Sequence, residues 1–238
     1  PHVPIYAPPE WWAKYPADSE IHRVDPGKSP LSGVPEIGRT LTLSEPGADT
    51  RNSLKSVAES HPGRVTKGYL AAVSFVDYQI GRVLKALDSG PNQNDTIVVI
   101  FSDHGHSLGH RGRWFKFSLW EPDLRVPLFI RIPGTGGGLR IKQPVELVDV
   151  YPTLVDLCGL QPRNDLDGQS LANLMTRSNA DAAMRHTDGD EGIALSTQYL
   201  GNHALRSGKF SYIRYADGSE ELYELDSDPN QTRNLAGN

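Results

Sequence analysis

A run of apolar and β-branched residues, Thr96 to Phe101 (TIVVIF), is followed at once by Ser102-Asp103-His104-Gly105. The run is short for a helix and rich in β-branched side chains, so it predicts a strand covered on both faces. Sites form at the carboxyl ends of strands in open α/β sheets, which gives Asp103 and His104 a functional position. The flanking pattern agrees. Upstream, from about Arg64, the residues Tyr69, Val73, Val76, Ile80, Val83, Leu84 and Leu87 recur at steps of three and four, which predicts a helix stopped by Gly90-Pro91. Downstream, Val126 to Ile132 (VPLFIRI) reads as a second buried strand. Asp149 and the apolar residues after it, with Pro152 in the first turn, predict a capped helix. Strand and helix alternate, which argues an α/β layer fold.

The two ends have a different texture. Eight prolines from Pro1 to Pro35 predict that the first ~50 residues are mostly irregular with short turns. Long irregular stretches are more often functional than idle. After Arg177 a polar segment precedes short strand-like runs at Ile193 to Ser196, Phe210 to Tyr215 and Glu221 to Leu225. Ala216-Asp217-Gly218 is a hairpin signal between two of them, because Asp-Gly accepts positive φ at little cost. The expected division is therefore an α/β part, residues 1–177, and a small antiparallel β subdomain with a tail, residues 178–238.

Composition narrows the function classes. The 238 residues carry a formal net charge of -5, so no basic surface marks a nucleic-acid partner. No run approaches the ~20 apolar residues of a membrane span. The single Cys158 excludes an internal disulfide and a multi-Cys zinc cluster, and its neighbours Leu154, Val155 and Leu157 predict a buried structural thiol. Asn94-Asp95-Thr96 and Asn230-Gln231-Thr232 match the N-glycosylation sequon, which arises often by chance.

Asp103 offers a hard carboxylate oxygen and His104 an imidazole, and at a sheet edge both can reach one metal ion. Taken alone, the pair also permits a capping role for Asp103 and an ordinary polar role for His104. The segment GHSLGHRGRWFKFSLWE that follows is unusually Gly-rich and basic for ordinary core. Gly105, Gly109 and Gly112 allow close backbone approach, while Arg111, Arg113 and Lys116 supply positive charge, which together imply an anionic ligand.

These residues carry a family likeness. SDHG-x-x-LG-x-x-G-x-W-x-K, VPLFIRIPG and ELVDVYPTLVDLCGL resemble the sulfatases of the alkaline phosphatase superfamily, nearest to the iduronate-2-sulfatase-like group. The opening PHVP, the helix GYLAAVSFVDYQIGRVLKAL, the segment GNHALRSGKFSYIRY and the tail ELYELDSDPNQTRNLAG extend the resemblance over nearly the whole chain. It implies the C-terminal part of an alkaline-phosphatase-like sandwich: a mixed, mostly parallel sheet flanked by helices, plus a small antiparallel β subdomain. It further implies calcium at Asp103 and His104, sulfate at Lys116 and His2, and the substrate's organic part near His203, which a structural role would suit equally. The expected substrate is a sulfated small molecule or glycan, and the expected compartment is periplasmic or secreted.

Two departures matter. His106 and His110 stand where such sequences usually have an aromatic residue and an acid, and solvated or structural roles are expected of both. No C-x-P-x-R or S-x-P-x-R is present, the element whose Cys or Ser becomes formylglycine. That nucleophile and further acidic ligands are expected in a segment before Pro1, on an N-terminal polypeptide without which the chain is inactive. The alternatives are a phosphodiesterase or phosphonate monoester hydrolase of the same superfamily, or a non-catalytic fragment or subunit.

Overall fold

Small residues decide how the longest helix packs. The computed structural model describes residues 5–27, 29–43, 56–175 and 192–237, and the chain divides into two compact units. The first holds residues up to Ser32, Arg39–Ser118 and Arg125–Thr135; the second holds Gly33–Gly38, Leu119–Leu124 and the chain from Gly136 onward. These contacts divide the chain otherwise than the expected 1–177 and 178–238.

The proline-rich opening is irregular apart from α1 (Pro9–Trp12), a 3-10 turn (Asp18–Glu20) and α2 (Glu36–Leu43). Helix α3 (Pro62–Asp88) starts with Pro62 in its first turn and ends before Gly90-Pro91. Its buried positions are Gly63, Thr66, Gly68, Ala71 and Ala72. A Cβ on Gly63 would stand 1.9 Å from the Asp18 carbonyl oxygen, and one on Gly68 2.7 Å from the Trp12 ring. The missing side chains let the helix lie directly on the 3-10 turn and α1. Within the stripe that predicts the helix, by contrast, Val73, Val76 and Val83 are 41%, 41% and 69% exposed.

Strand β1 (Val98–Phe101) pairs with β4 (Leu128–Arg131), from Val98↔Arg131 to Phe101↔Leu128. The pairing is antiparallel. A parallel pair needs a crossover, usually a helix, and here the intervening chain carries instead the two-residue strands β2 (Ser107–Leu108) and β3 (Trp114–Phe115) and the short helix α4 (Glu121–Leu124). The expected cover on both faces is also absent among the described residues, since Phe101 and Phe129 are 50% and 62% exposed.

In the second unit a 3-10 turn (Leu147–Asp149) runs into α5 (Val150–Leu157). Asp149 does not cap that helix with its side chain; its carboxylate accepts instead from the backbone amides of Glu146 and Gln169, at 2.9 and 2.8 Å. Cys158 is exposed, against expectation. The helix stops at Leu157, and the chain turns away through Gly159 at φ 63, so Cys158 never completes another buried turn. Helix α6 (Ala172–Met175) follows.

The antiparallel meander β5 (Ile193–Thr197), β6 (His203–Ser207), β7 (Phe210–Arg214) and β8 (Glu220–Glu224) completes the unit. The Asp217-Gly218 turn joins β7 to β8, with Gly218 at φ 85. Both outer strands are engaged: the Leu195 amide donates to Glu146 Oε1 at 2.7 Å, and Leu222 donates to Asn234 Oδ1 and accepts from the Leu235 amide. One face buries Ala204, Ser211, Ile213, Glu221 and Tyr223. Glu221 is fully buried and accepts hydrogen bonds from Trp120 Nε1 and from the hydroxyls of Tyr215 and Tyr223.

Removing that acceptor strands buried donors, a loss of roughly 3–5 kcal/mol for a buried charged centre. Glu221→Ala is therefore expected to unfold at clearly lower denaturant than Glu221→Gln, which keeps one acceptor oxygen. Equal midpoints for the two variants would show that the carboxylate does not organise this core.

Candidate active site

The antiparallel ladder ends at the residues that the sequence singles out. Ser102 continues β1 by donating its amide to the Pro127 carbonyl at 3.3 Å, and its hydroxyl turns to the His104 carbonyl at 2.8 Å. This bend leaves the Asp103 side chain 80% exposed and that of His104 37% exposed. Asp103 Oδ1 accepts from the His104 amide at 3.1 Å, and Oδ2 lies 3.5 Å from His104 Nε2.

The His104 ring has a defined orientation. Its Nδ1 lies 2.8 Å from the Gly105 carbonyl, an acceptor-only group, so Nδ1 carries the proton and Nε2 presents a lone pair. The Lys116 ammonium donates to that Nε2 at 2.9 Å. Three of the expected site residues, Asp103, His104 and Lys116, thus meet at one point, although Lys116 follows twelve residues after His104.

A small hairpin makes the meeting possible. Ser107 pairs with Phe115 and Leu108 with Trp114, and the turn between them uses left-handed glycines, Gly109 at φ 98 and Gly112 at φ 72. The glycines therefore serve a tight reversal. Arg111 and Arg113 are buried at 4% and 6% exposure and act within the fold: Arg111 donates to the Ser32 carbonyl, and Arg113 to the carbonyls of Thr42 and Lys116. Of the three basic residues expected to face an anion, Lys116 alone stands in the cluster with His104. Arg113 holds the backbone of the residue that does.

Both neighbours of Lys116 are left-handed, Phe115 at φ 106 and Phe117 at φ 72. Such backbone costs an ordinary residue roughly 1–3 kcal/mol and tends to collect at functional sites. Nothing in the residue types announces it.

The remaining expected residues fall elsewhere. His106 stacks on Tyr69 with ring centres 5.1 Å apart and meets Phe115 edge-on at 5.8 Å. Burial above all, helped by the nearby Lys116 charge, pushes its pKa down to about 4, so it stays neutral as a structural ring. His110 is buried at 3% exposure in the hairpin turn. His203 belongs to the second unit, exposed on β6, with Nδ1 2.9 Å from the Thr197 hydroxyl. His2 lies outside the described residues. Among the described residues no group of three or more His, Cys, Asp or Glu side chains is gathered as a metal cage.

If Phe117 is held left-handed as described, Phe117→Gly should exceed Phe117→Ala in stability by about 1 kcal/mol, since the glycine escapes the steric cost of that conformation. Denaturant titration of both variants measures this, and identical stabilities would contradict the backbone geometry.

Comparison with known proteins adds the family. The sulfatase family model matches residues 1–160, and a model for the C-terminal region of N-sulphoglucosamine sulphohydrolase matches residues 109–238. The chain is 37% identical over 238 residues to a sulfatase of Formosa agariphila and 33% identical over 241 residues to choline-sulfatase of Rhizobium meliloti. Each alignment takes in 100% of this chain and 45% of the relative, so the chain spans about half the length of the curated relatives it matches. A solved 2-O GAG sulfatase superimposes with a TM-score of 0.65 at 23% identity, over 97% of this chain and 53% of that one. The phosphonate monoester hydrolase of Agrobacterium radiobacter does so with a TM-score of 0.61 at 26% identity, over 75% and 38%. The architecture is that of the C-terminal part of the alkaline-phosphatase-like sandwich with its small antiparallel β subdomain. The chain belongs to the sulfatase family.

Proposed function

We propose that the complete protein hydrolyses sulfate esters, and that this chain supplies Asp103, His104 and Lys116 to the charged groups around the transferring sulfuryl group. The observation that carries the reading is the convergence of Asp103, His104 and Lys116 at the end of β1. Membership of the sulfatase family supports it.

The donor set fits a divalent cation. Asp103 offers an exposed carboxylate, and the Gly105 carbonyl fixes the His104 tautomer so that Nε2 is the ligand atom. A carboxylate-led site suits calcium better than zinc, and calcium takes six to eight ligands. Two side chains leave most of those places open, and acidic residues of an N-terminal polypeptide would fill them. When bound, the ion supplies Lewis acidity toward a sulfate oxygen.

The other steps belong to the chain's own groups. A single lone pair on His104 Nε2 serves one cation at a time, so Lys116 releases it to pair with a sulfate oxygen, as a compact point charge. Arg113, through the Lys116 carbonyl, keeps that ammonium on station. His2 and His203 would meet the sulfate and the organic part respectively. The nucleophile, a formylglycine hydrate attacking sulfur, would come from the N-terminal polypeptide, because the present sequence holds no C-x-P-x-R or S-x-P-x-R. A periplasmic or secreted setting goes with this reading.

The likeness to a phosphonate monoester hydrolase favours one second reading, a phosphoryl or phosphonyl ester hydrolase built on the same groups. Parallel assays of an aryl sulfate and an aryl phosphonate separate the two.

The decisive test is reconstitution with calcium and an aryl sulfate. The 238-residue chain alone should show no turnover, and adding an N-terminal sulfatase polypeptide that carries formylglycine should restore it. Turnover by the isolated chain would refute the proposed division of labour.

In the complete enzyme, Lys116→Ala should lower kcat by about 10²–10³-fold, the usual cost of losing one transition-state charge partner, with a smaller change in KM. Unchanged kcat and kcat/KM would remove Lys116 from the site.

A further inference from the structure

The ladder that delivers Lys116 stops at Ser107↔Phe115, so His106 and Lys116 are the first residues past its end. Phe115, which precedes Lys116, is 8% exposed and stands at φ 106. An ordinary side chain keeps such backbone only under contacts from outside. Rings supply them here. The Phe115 ring meets the His106 ring edge-on, with centres 5.8 Å apart and planes at 86°. His106 in turn stacks on Tyr69, at 5.1 Å and 27°. Tyr69 is half-buried and belongs to helix α3, the longest in the chain.

The imidazole is therefore a bracket. A stacked neighbour limits the ring along its normal, and an edge-on neighbour at nearly a right angle limits its turning within the plane. Phe115 is held against α3 through the flat ring between them. Aromatic contacts of this kind are of the same order as the cost of one left-handed residue, so the stack is strong enough to hold Phe115 where it is. His106 does not join the charged groups: among the described residues it is not gathered with Asp103 and His104 into a metal cage. The position uses the flatness of the ring and not its basicity.

We propose that His106 is a positioning residue for Lys116: the stack of Tyr69, His106 and Phe115 sets where the ammonium stands, and so governs turnover without touching the substrate. The kinetic consequence rests on the sulfate-ester reading above. The hold on Lys116 stands apart from it.

The test uses the complete enzyme with calcium and an aryl sulfate. His106→Ala should lower kcat about tenfold or more with KM little changed, since a displaced transition-state partner costs turnover. His106→Phe keeps a flat ring and should stay within about twofold of the unaltered enzyme. In a Lys116→Ala background, His106→Ala should cost nothing further, because a residue that works through Lys116 has nothing left to position. Equal loss in both backgrounds would show general damage and overturn the proposal. Full activity of His106→Ala, or a phenylalanine that fails as badly as the alanine, would overturn it too. If His106→Ala does not fold, Tyr69→Leu carries the same expectations. If the unaltered enzyme turns over no sulfate ester, the sulfate reading has failed, and brief labelling of the complete protein with an amine-reactive reagent still decides. Lys116 should then label severalfold faster in His106→Ala than in the unaltered protein or in His106→Phe, and equal rates would reject the bracket.

Discussion

Arg113 ties one distant piece of chain to the turn that carries Lys116: its guanidinium donates to the carbonyls of Thr42 and Lys116. The site depends on this buried cation. Lys116 stands on backbone that two left-handed phenylalanines make unfavourable, and the ladder that returns it toward β1 is two residues long. So short a ladder is weak by itself, since isolated hairpins are marginal in water. A charged donor on a backbone carbonyl is stronger than a neutral one, and within a dry setting it resists exchange with water. The arginine is therefore a positioning residue, acting on the site through the carbonyl of its neighbour.

The same economy explains why the site's charge is sparse. Three basic residues lie within six positions, yet the fold consumes two of them before any ligand arrives. What is left at the strand end is one ammonium, one imidazole and one carboxylate within 3.5 Å of the central Nε2. That mixture holds no net excess of either sign, and a bound cation would tip it toward an anion.

The sequence carried the strand before Asp103, the long helix and the hairpin at Asp217-Gly218, because each rests on a local signal: a β-branched run, a 3.6-residue period, a dipeptide that accepts positive φ. It misled where the signal was global. Strand β6 contains Ala204, Arg206 and Ser207, poor strand formers by type, and is a strand because β5 and β7 flank it. The apolar stripe of α3 marked the helix correctly but not its packed side, which small residues claim by letting backbones approach. Arg111 and Arg113 read as ligand-facing because charge is visible in a sequence and burial is not. Cys158 read as core because its neighbours are apolar, whereas the helix ends one residue before it. At the site, the pairing of Asp103 with His104 was legible from the strand that precedes them. The reach of Lys116 to His104 was legible through family likeness alone, since no periodicity connects residues twelve apart around a turn.

The four-stranded sheet has two outer strands, and each has outward-facing backbone already engaged. Glu146 takes the Leu195 amide, while Asn234 and Leu235 take both polar groups of Leu222. An open strand edge is a template on which another chain can add itself, by the same bonds that build amyloid. Here a carboxylate and the protein's own tail are seated on those bonds first. The segment that follows β8 thus shields that edge of the sheet from strand addition.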